Sequence, residues 1–535
     1  MTKNKFTLTI VGGGTAGWLC AAKLSKTFPK ISIKLIESPA IPKIGVGESV
    51  TPHVSHFFKE LGIDEKHWMQ HTGAIYKYAN KFIGWNGDSS EEHFSFNYPT
   101  NVDLLQKEIH YATKYEDLMF KESDIRTTDT LMKLLADSEL DKFDKYFDSQ
   151  YYYMQRNVSP FNDAGEYLLN PLHSWSQHIN AERASEYVRD NIALPNGVVH
   201  IQSKVQEVIT TVDDNIDYLV LEDGSIIKSD LFVDASGFHK LLVGKRPTKD
   251  YVNNTVNSAW VCQLDYTDPE SEMVNYTQSI AQDYGWLFKI GLYHRMGSGY
   301  CYDSNYISDD DARQAYIKMV DNRRAEPRLL KWKPQRLQQA AKGNVVAVGL
   351  SCGFVEPMEA NALYIMINSI VILEEVLTDY FKTERMNFGT YNEKIGYCID
   401  DIADFILVHY TLSSRNTTKF WLDKHNLGIK ENHANLVYKK YMNKQNTMAS
   451  ALAGYSLFPE YMWAQLAHSW GLDLTSWQNK SFSHLDLELT RLHFKHQSDK
   501  HNIISQTRVN NYRWLKDNVF KGLDSTKWSK IYLRN

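Results

Sequence analysis

Residues 6–11, FTLTIV, form a β-branched apolar run that stops at Gly12-Gly13-Gly14-Thr15-Ala16-Gly17, and Trp18 to Lys26 then follows a helical pattern. A second apolar run, Ile31 to Ile36, comes next and ends in Glu37. Strand, glycine turn, helix and strand make one βαβ unit, which predicts an α/β fold with a Rossmann-like parallel sheet. In the GxGxxG pattern Gly12 permits the tight turn, Gly14 lets the backbone approach a pyrophosphate, and Gly17 lets helix and strand pack closely. Thr15 and Ala16 open the helix, whose free N–H groups face the phosphates. Glu37 can bond a ribose 2′-hydroxyl and would repel a 2′-phosphate, which favours FAD or NAD over NADP.

Glycine turns recur at Gly45-Val46-Gly47, Ser236-Gly237 and Gly349 to Gly353, too widely spread for a compact NAD half. A long flavin touched at several depths explains that spacing, with Gly47, Glu48, Ser49 and Gly349 as further contacts. The 535 residues are expected to divide into an FAD-binding module over 1–390, with interleaved β-sheet substrate segments, and a largely helical substrate-side module over 391–535 packed on it. Segments 198–235 read as paired strands with a turn at Asp223-Gly224.

The charge balance excludes other classes. Lys and Arg number 59 against 64 Asp and Glu, a net charge of −5 with no polybasic run, so no nucleic-acid partner is expected. Five cysteines without a CxxC pair and nineteen scattered histidines without HExxH give neither a disulfide framework nor a metal site. The start of the chain carries no signal-like apolar stretch. Ala362 to Leu373, broken by Asn368 and Ser369, is shorter than the ~20 residues of a membrane span and reads as a buried helix. A cytoplasmic protein without a membrane partner is expected. Aromatics make up 13% of the chain, which suits a protein that encloses a planar ligand.

The blocks GGGTAGW (12–18), IESPAIPKIGVGES (36–49), HWMQ (67–70), YKYANKF (76–82), GSGYCY (297–302), VGLSCGFVEPMEA (348–360) and HYTLSSR (409–415), followed by Phe420-Trp421, occur in this order. Together they resemble the flavin-dependent halogenases, in particular the tryptophan-halogenase type. The resemblance implies reduced FAD supplied by a separate flavin reductase, a halide ion as co-substrate, and a small aromatic substrate attacked by hypohalous acid. It implies that Lys77 is the amine that handles the electrophile and Glu359 the carboxylate that assists it, with Lys81 and Glu356 as their neighbours in the blocks. Backbone N–H groups of Asn361 and Ala362, at a helix start, would hold the halide. A buried lysine would serve best, since desolvation lowers its pKa toward a reactive neutral fraction.

The chain departs from the family pattern at several places. Phe-x-x-Pro-x-x-Ser-x-Gly survives as Phe354 and Pro357, with Ala360 and Ala362 in the last two places. The signature Trp-x-Trp-x-Ile-Pro reads Trp286-Leu287-Phe288-Lys289-Ile290-Gly291, so Trp286, Phe288 and Ile290 mark a divergent member. The pocket run His-Phe-Tyr-His-x-Phe is His93-Phe94-Ser95-Phe96-Asn97-Tyr98, which makes His93, Phe96 and Tyr98 candidate pocket residues, with His173 beside them. No counterpart of the amino-acid grip is found in residues 448–470, so a free indole or phenol is expected ahead of tryptophan. An anion site built from backbone dipoles favours bromide and iodide, which shed water more cheaply than chloride. An aromatic-ring flavin monooxygenase and a non-catalytic flavin protein are the competing readings, and the oligomeric state is left open.

Overall fold

The computed structural model describes residues 5–40, 47–95, 119–148, 150–162, 164–166, 176–213, 215–321, 326–443, 456–482 and 484–523. Its chain divides into two compact units that interleave in sequence: Met1–Ala74, Ile179–Asn257 and Leu330–Ala403 in the first, and Ile75–His178, Ser258–Leu329 and Asp404–Asn535 in the second. The expected break at 390/391 falls instead inside the helix Phe388–Thr411. The sheet segments that the sequence reading assigned to the FAD-binding module group with the C-terminal helices, because their long-range contacts lie there.

The first unit is built on the Rossmann-like sheet that the glycine turn predicts. Its strands run Ala341–Lys342, Val345–Ala347, Leu231–Asp234, Thr7–Val11, Ser32–Glu37 and Val199–Gln202 from edge to edge. All pair in parallel except the first, which folds back on Val345–Ala347. Leu8, Ile10, Leu35, Val233 and Val346 are buried in this sheet, as near-continuous apolar strands require when helices cover both faces. The strands Val205–Thr210 and Ile216–Leu221 pair antiparallel, and the turn after them uses Gly224 at φ 79° with the Asp223 carboxylate accepting from Ser225 N–H. Asn361–Thr383 is a 23-residue helix whose middle is buried, including Asn368 and Ser369. It is a core helix of this unit, as the broken apolar run 362–373 suggested.

In the second unit the strands Ser258–Leu264, Met296–Tyr302, Gly285–Gly291, Tyr276–Gln282, Ala79–Ile83 and Glu91–Ser95 lie side by side in that order. Only Tyr276–Gln282 and Ala79–Ile83 pair in parallel. The aromatic surplus is largely consumed by this unit's own packing. Phe82 lies 4.8 Å from the His409 ring, Phe94 lies 5.3 Å from Trp470, and Phe405 stacks on Phe458 at 3.8 Å. Those side chains serve the core and are not available to a ligand, so aromatic content alone does not mark a pocket.

Gly299 shows how tightly this sheet is made. A Cβ there would meet the Phe288 ring at 2.5 Å and Val261 at 2.8 Å. The glycine of GSGYCY is therefore the space into which the signature phenylalanine fits. Gly299→Ala should destabilise the protein by about 1–3 kcal/mol through overpacking. Urea unfolding followed by tryptophan fluorescence checks this, with a lowered midpoint as the expected result.

Candidate active site

The nucleotide turn assembles as its spacing demands. Gly12 adopts φ 121°, and its N–H donates to the Ile36 carbonyl at 2.9 Å. A Cβ on Gly17 would lie 1.8 Å from the Gly12 carbonyl oxygen, and one on Gly13 would lie 2.1 Å from the Glu37 carboxyl carbon. Gly13 is therefore required as well, because it clears the space that the acidic side chain occupies. The helix Thr15–Thr27 starts at Gly14 with no side-chain cap and no acid in its first turn, which leaves its N–H groups for an anion. Thr15 Oγ1 instead donates to the Ala181 carbonyl at 3.2 Å. Gly349, at φ 65°, comes against the same turn, since its Cβ would lie 3.1 Å from that of Ala16.

Residues that the sequence did not single out complete this region. His200, paired in register with Leu35, brings Nε2 to 3.0 Å from Glu37 Oε2 and sets its ring edge-on to Trp18 at 4.9 Å. Arg189 stacks over the Trp18 ring. Trp18 Nε1, Ser38 Oγ and Ser203 Oγ are buried with no protein hydrogen bond. Orphaned donors and acceptors beside a ribose-type carboxylate fit the adenosine end of FAD. Asp234, fully buried at the end of its strand, accepts from Ser236 N–H and Oγ, from Leu242 and Val243 N–H, and from Ser351 Oγ at 3.1 Å. It ties the loop after LFVDASG to the loop carrying Gly349. The signal was present in LFVDASG, but spacing alone does not separate a buried organising acid from an ordinary strand end.

Next to Gly47, which sits at φ 120°, lies the short strand Glu48–Ser49. Burial pushes the Glu48 carboxyl up to about 7. In FVEPMEA, Glu359 is buried and takes φ 61°, ψ 24°, and Ala360 follows at φ 57°. Two successive left-handed non-glycine residues store strain, as turns that aim a functional side chain often do. Asn361 opens the long helix, and its Nδ2 donates to the carbonyls of Glu356 at 2.7 Å and Met358 at 2.5 Å, fastening the turn. Ala362 has helical backbone, where alanine is better placed than glycine, so that departure from the family pattern keeps the helix start intact.

The second unit carries the lysine. Ile75–Lys77 pairs antiparallel with Ser176–Ile179, Lys77 opposite Ser176 and Ile75 opposite His178. Lys77 is fully buried. At Tyr78, whose N–H donates to the Asn275 carbonyl, the chain leaves this small pair and enters the larger sheet as Ala79–Ile83. The two lysines therefore belong to different ladders, and Lys81 ends in an ion pair with Glu91 at 2.8 Å over the Tyr276 ring. His178, also missed, places Nδ1 at 3.0 Å from the Gly291 carbonyl and Nε2 at 2.9 Å from Thr277 Oγ1. The carbonyl can only accept, so Nδ1 carries the proton and neutral Nε2 accepts from the threonine. Burial, and then the charge of Lys77, hold His178 well below its usual pKa, so it stays neutral.

Trp286, Phe288 and Ile290 are buried on one face of the strand Gly285–Gly291, with Trp286 and Phe288 rings 6.0 Å apart. A Cβ on Gly291 would lie 3.0 Å from the Tyr266 hydroxyl and 3.3 Å from Ile75, which accounts for glycine where the signature has proline. His93 is buried, with Nδ1 3.3 Å from Asp144 Oδ2, Nε2 3.2 Å from Gln155 Nε2, and its carbonyl accepting from Gln465. Phe96, Tyr98 and His173 lie outside the described residues.

The chain matches the tryptophan halogenase family over residues 7–481. It is 30% identical over 438 residues to tryptophan 6-halogenase ThaL of Streptomyces albogriseolus, covering 78% of each chain. It is 30% identical over 427 residues to tryptophan 7-halogenase RebH of Lentzea aerocolonigenes, covering 77% of this chain and 78% of that protein. The crystal structure of a tryptophan halogenase from Shewanella frigidimarina superposes with a TM-score of 0.81 at 25% identity, covering 97% of this chain and 98% of that one.

A carboxyl raised by burial favours the folded state below its ordinary pKa of 4.5, and that contribution disappears as pH climbs to about 7. Glu48→Gln should therefore raise stability at pH 8 by on the order of 1–2 kcal/mol and leave it nearly unchanged at pH 4. Thermal midpoints of both proteins measured across this range check the sign.

Proposed function

The chain belongs to the tryptophan halogenase family of flavin-dependent enzymes, and on that premise we propose its substrate and the residues that act on it. The substrate is an electron-rich aromatic ring such as a free indole or a phenol, and Lys77 and Glu359 are the catalytic pair. Reduced FAD, delivered by a separate reductase, supplies hypohalous acid from O2 and halide. The nucleotide turn, Glu37 and the orphaned polar atoms around Trp18 would hold the adenosine and pyrophosphate, with Gly47, Glu48, Ser49 and Gly349 along the rest of the cofactor.

The observation that carries the assignment is the complete burial of Lys77 beside a histidine fixed in its neutral form. A desolvated amine can hold a small neutral electrophile by hydrogen bond, or take its halogen as a haloamine while the displaced hydroxide leaves with the amine's proton as water. Lys81 cannot compete for that role, since its charge is spent on Glu91. Glu359 would polarise the electrophile and accept the proton that the ring loses as aromaticity returns. ThaL and RebH are named for tryptophan; here, the lack of a recognisable amino-acid grip in 448–470 supports a substrate without the zwitterion.

Lys77→Ala should lower aromatic halogenation by at least about a thousandfold, and Glu359→Gln by about a hundredfold or more. Lys81→Ala should stay within about threefold of the parent. Product mass spectrometry with FAD, a flavin reductase, halide and a mixed indole and phenol panel measures all three. Hydroxylated rings that persist in Lys77→Ala would establish the monooxygenase reading, which the altered signature at Phe288 and Gly291 motivates.

The halide is proposed to sit on the N–H groups of Asn361 and Ala362. Asn361 adds no positive end there, because its Nδ2 is committed to two carbonyls and its buried Oδ1 has no hydrogen-bond partner. So weak a return on dehydration favours bromide and iodide. In competition at equal halide concentrations, brominated and iodinated products should exceed chlorinated product, and mainly chlorinated product would refute the preference.

A further inference from the structure

Successive strand residues point to opposite faces, so the strand that buries Trp286, Phe288 and Ile290 turns Lys289 the other way. On that reverse face lies a cleft of about 330 Å³, lined by Lys289, Gln278, Glu272, Asp321 and an apolar floor that includes Met296 and Met319. It lies wholly within the second unit. Lys289 stands directly opposite Gln278 in the antiparallel ladder, so the two side chains share one patch of sheet. Among the described residues, neither side chain, nor the Asp321 carboxylate, has a hydrogen-bond or ion-pair partner. Glu272 is partly engaged, accepting from the N–H groups of Thr267 and Asp268 at its end of the cleft.

We propose that this cleft binds a free amino acid with an apolar side chain. The charges decide the class: among the described residues one ammonium and two carboxylates line the space, so a simple anion meets net repulsion and a simple cation leaves Lys289 unanswered. A zwitterion answers both. Its carboxylate reaches Lys289 and Gln278, its ammonium faces Glu272 and Asp321, and its side chain covers Met296 and Met319. The volume lies at the small end of ligand sites and suits a molecule of that size. The proposal does not depend on the catalytic assignment, since Lys77 and Glu359 take no part in it.

Titration calorimetry of the full chain with L-leucine tests it, because leucine has no ring to halogenate. Saturable binding is expected, weakened about tenfold or more by Lys289→Gln and about threefold or more by Asp321→Asn, and retained in Lys289→Arg. 4-Methylpentanoate and 3-methylbutan-1-amine, which lack one charge each, should bind at least about tenfold more weakly than leucine. Thermal midpoints equal to the parent's show that the variants are folded. No saturable heat up to about 20 mM leucine would overturn the proposal, as would equal binding of the single-charge analogues. Leucine binding that Lys77→Ala abolishes while Lys289→Gln leaves it intact would place the amino acid elsewhere and overturn it too.

Discussion

Removing an amine from water is costly, and this fold does so completely at Lys77. An isolated buried ammonium costs several kcal/mol, and the usual relief is a carboxylate partner or a lowered pKa. Lys81 takes the first route with Glu91. Lys77 is placed where burial is enforced by backbone, on a three-residue strand whose partner strand carries His178. Burial, and then Lys77 itself, keep a second positive charge off His178, while the Gly291 carbonyl fixes the one remaining proton on Nδ1. Thr277 and Gly291, on the paired strands Tyr276–Gln282 and Gly285–Gly291, thus set the tautomer of the imidazole beside the lysine. Gly291 serves twice, since a side chain at that position would press on Ile75, in the strand of Lys77 itself.

Much of the first unit was legible in the sequence because its constraints are local. The contacts that exclude a side chain at Gly13 and Gly17 come from Glu37 on the next parallel strand and from the Gly12 carbonyl, so spacing alone encodes them, whereas Gly12 is closed off by the distant Ala235. Glu37 could be read for the same reason. His200 could not, because its approach to Glu37 depends on a strand that joins the sheet more than 160 residues later. Asp234 falls between these cases: its motif is visible, but three of its five donors sit in loops whose closure only the fold brings about.

The second unit resisted reading for a different reason. Alternation along 74–84 predicts one strand with Lys77 and Lys81 on a common face, and period-2 patterning has no way to mark where a chain changes partner. The change at Tyr78 separates a fully buried lysine from an ordinary ion pair within four residues. Aromatic content was ambiguous in the same way, because rings that pack a core and rings that line a pocket have equal hydropathy. Only contacts such as Phe405 on Phe458 distinguish them.

The turn that carries Glu359 shows the opposite economy. Two left-handed non-glycine residues in succession cost about 1–3 kcal/mol each, and a glycine at either place would remove the penalty. The chain keeps Glu359 and Ala360 and holds them by the two carbonyl contacts of Asn361 and by the helix that begins there. Relaxing the turn would free the backbone, and with it the direction of the carboxylate. Strain that is over-determined from both sides fixes that direction through the backbone, which suits a group proposed to exchange protons with a passing ring. The same logic explains why Ala362 is harmless and Ala360 is not: the first lies inside the helix, where alanine is favoured, and the second in the left-handed cap, where alanine is tolerated only because everything around it is fixed.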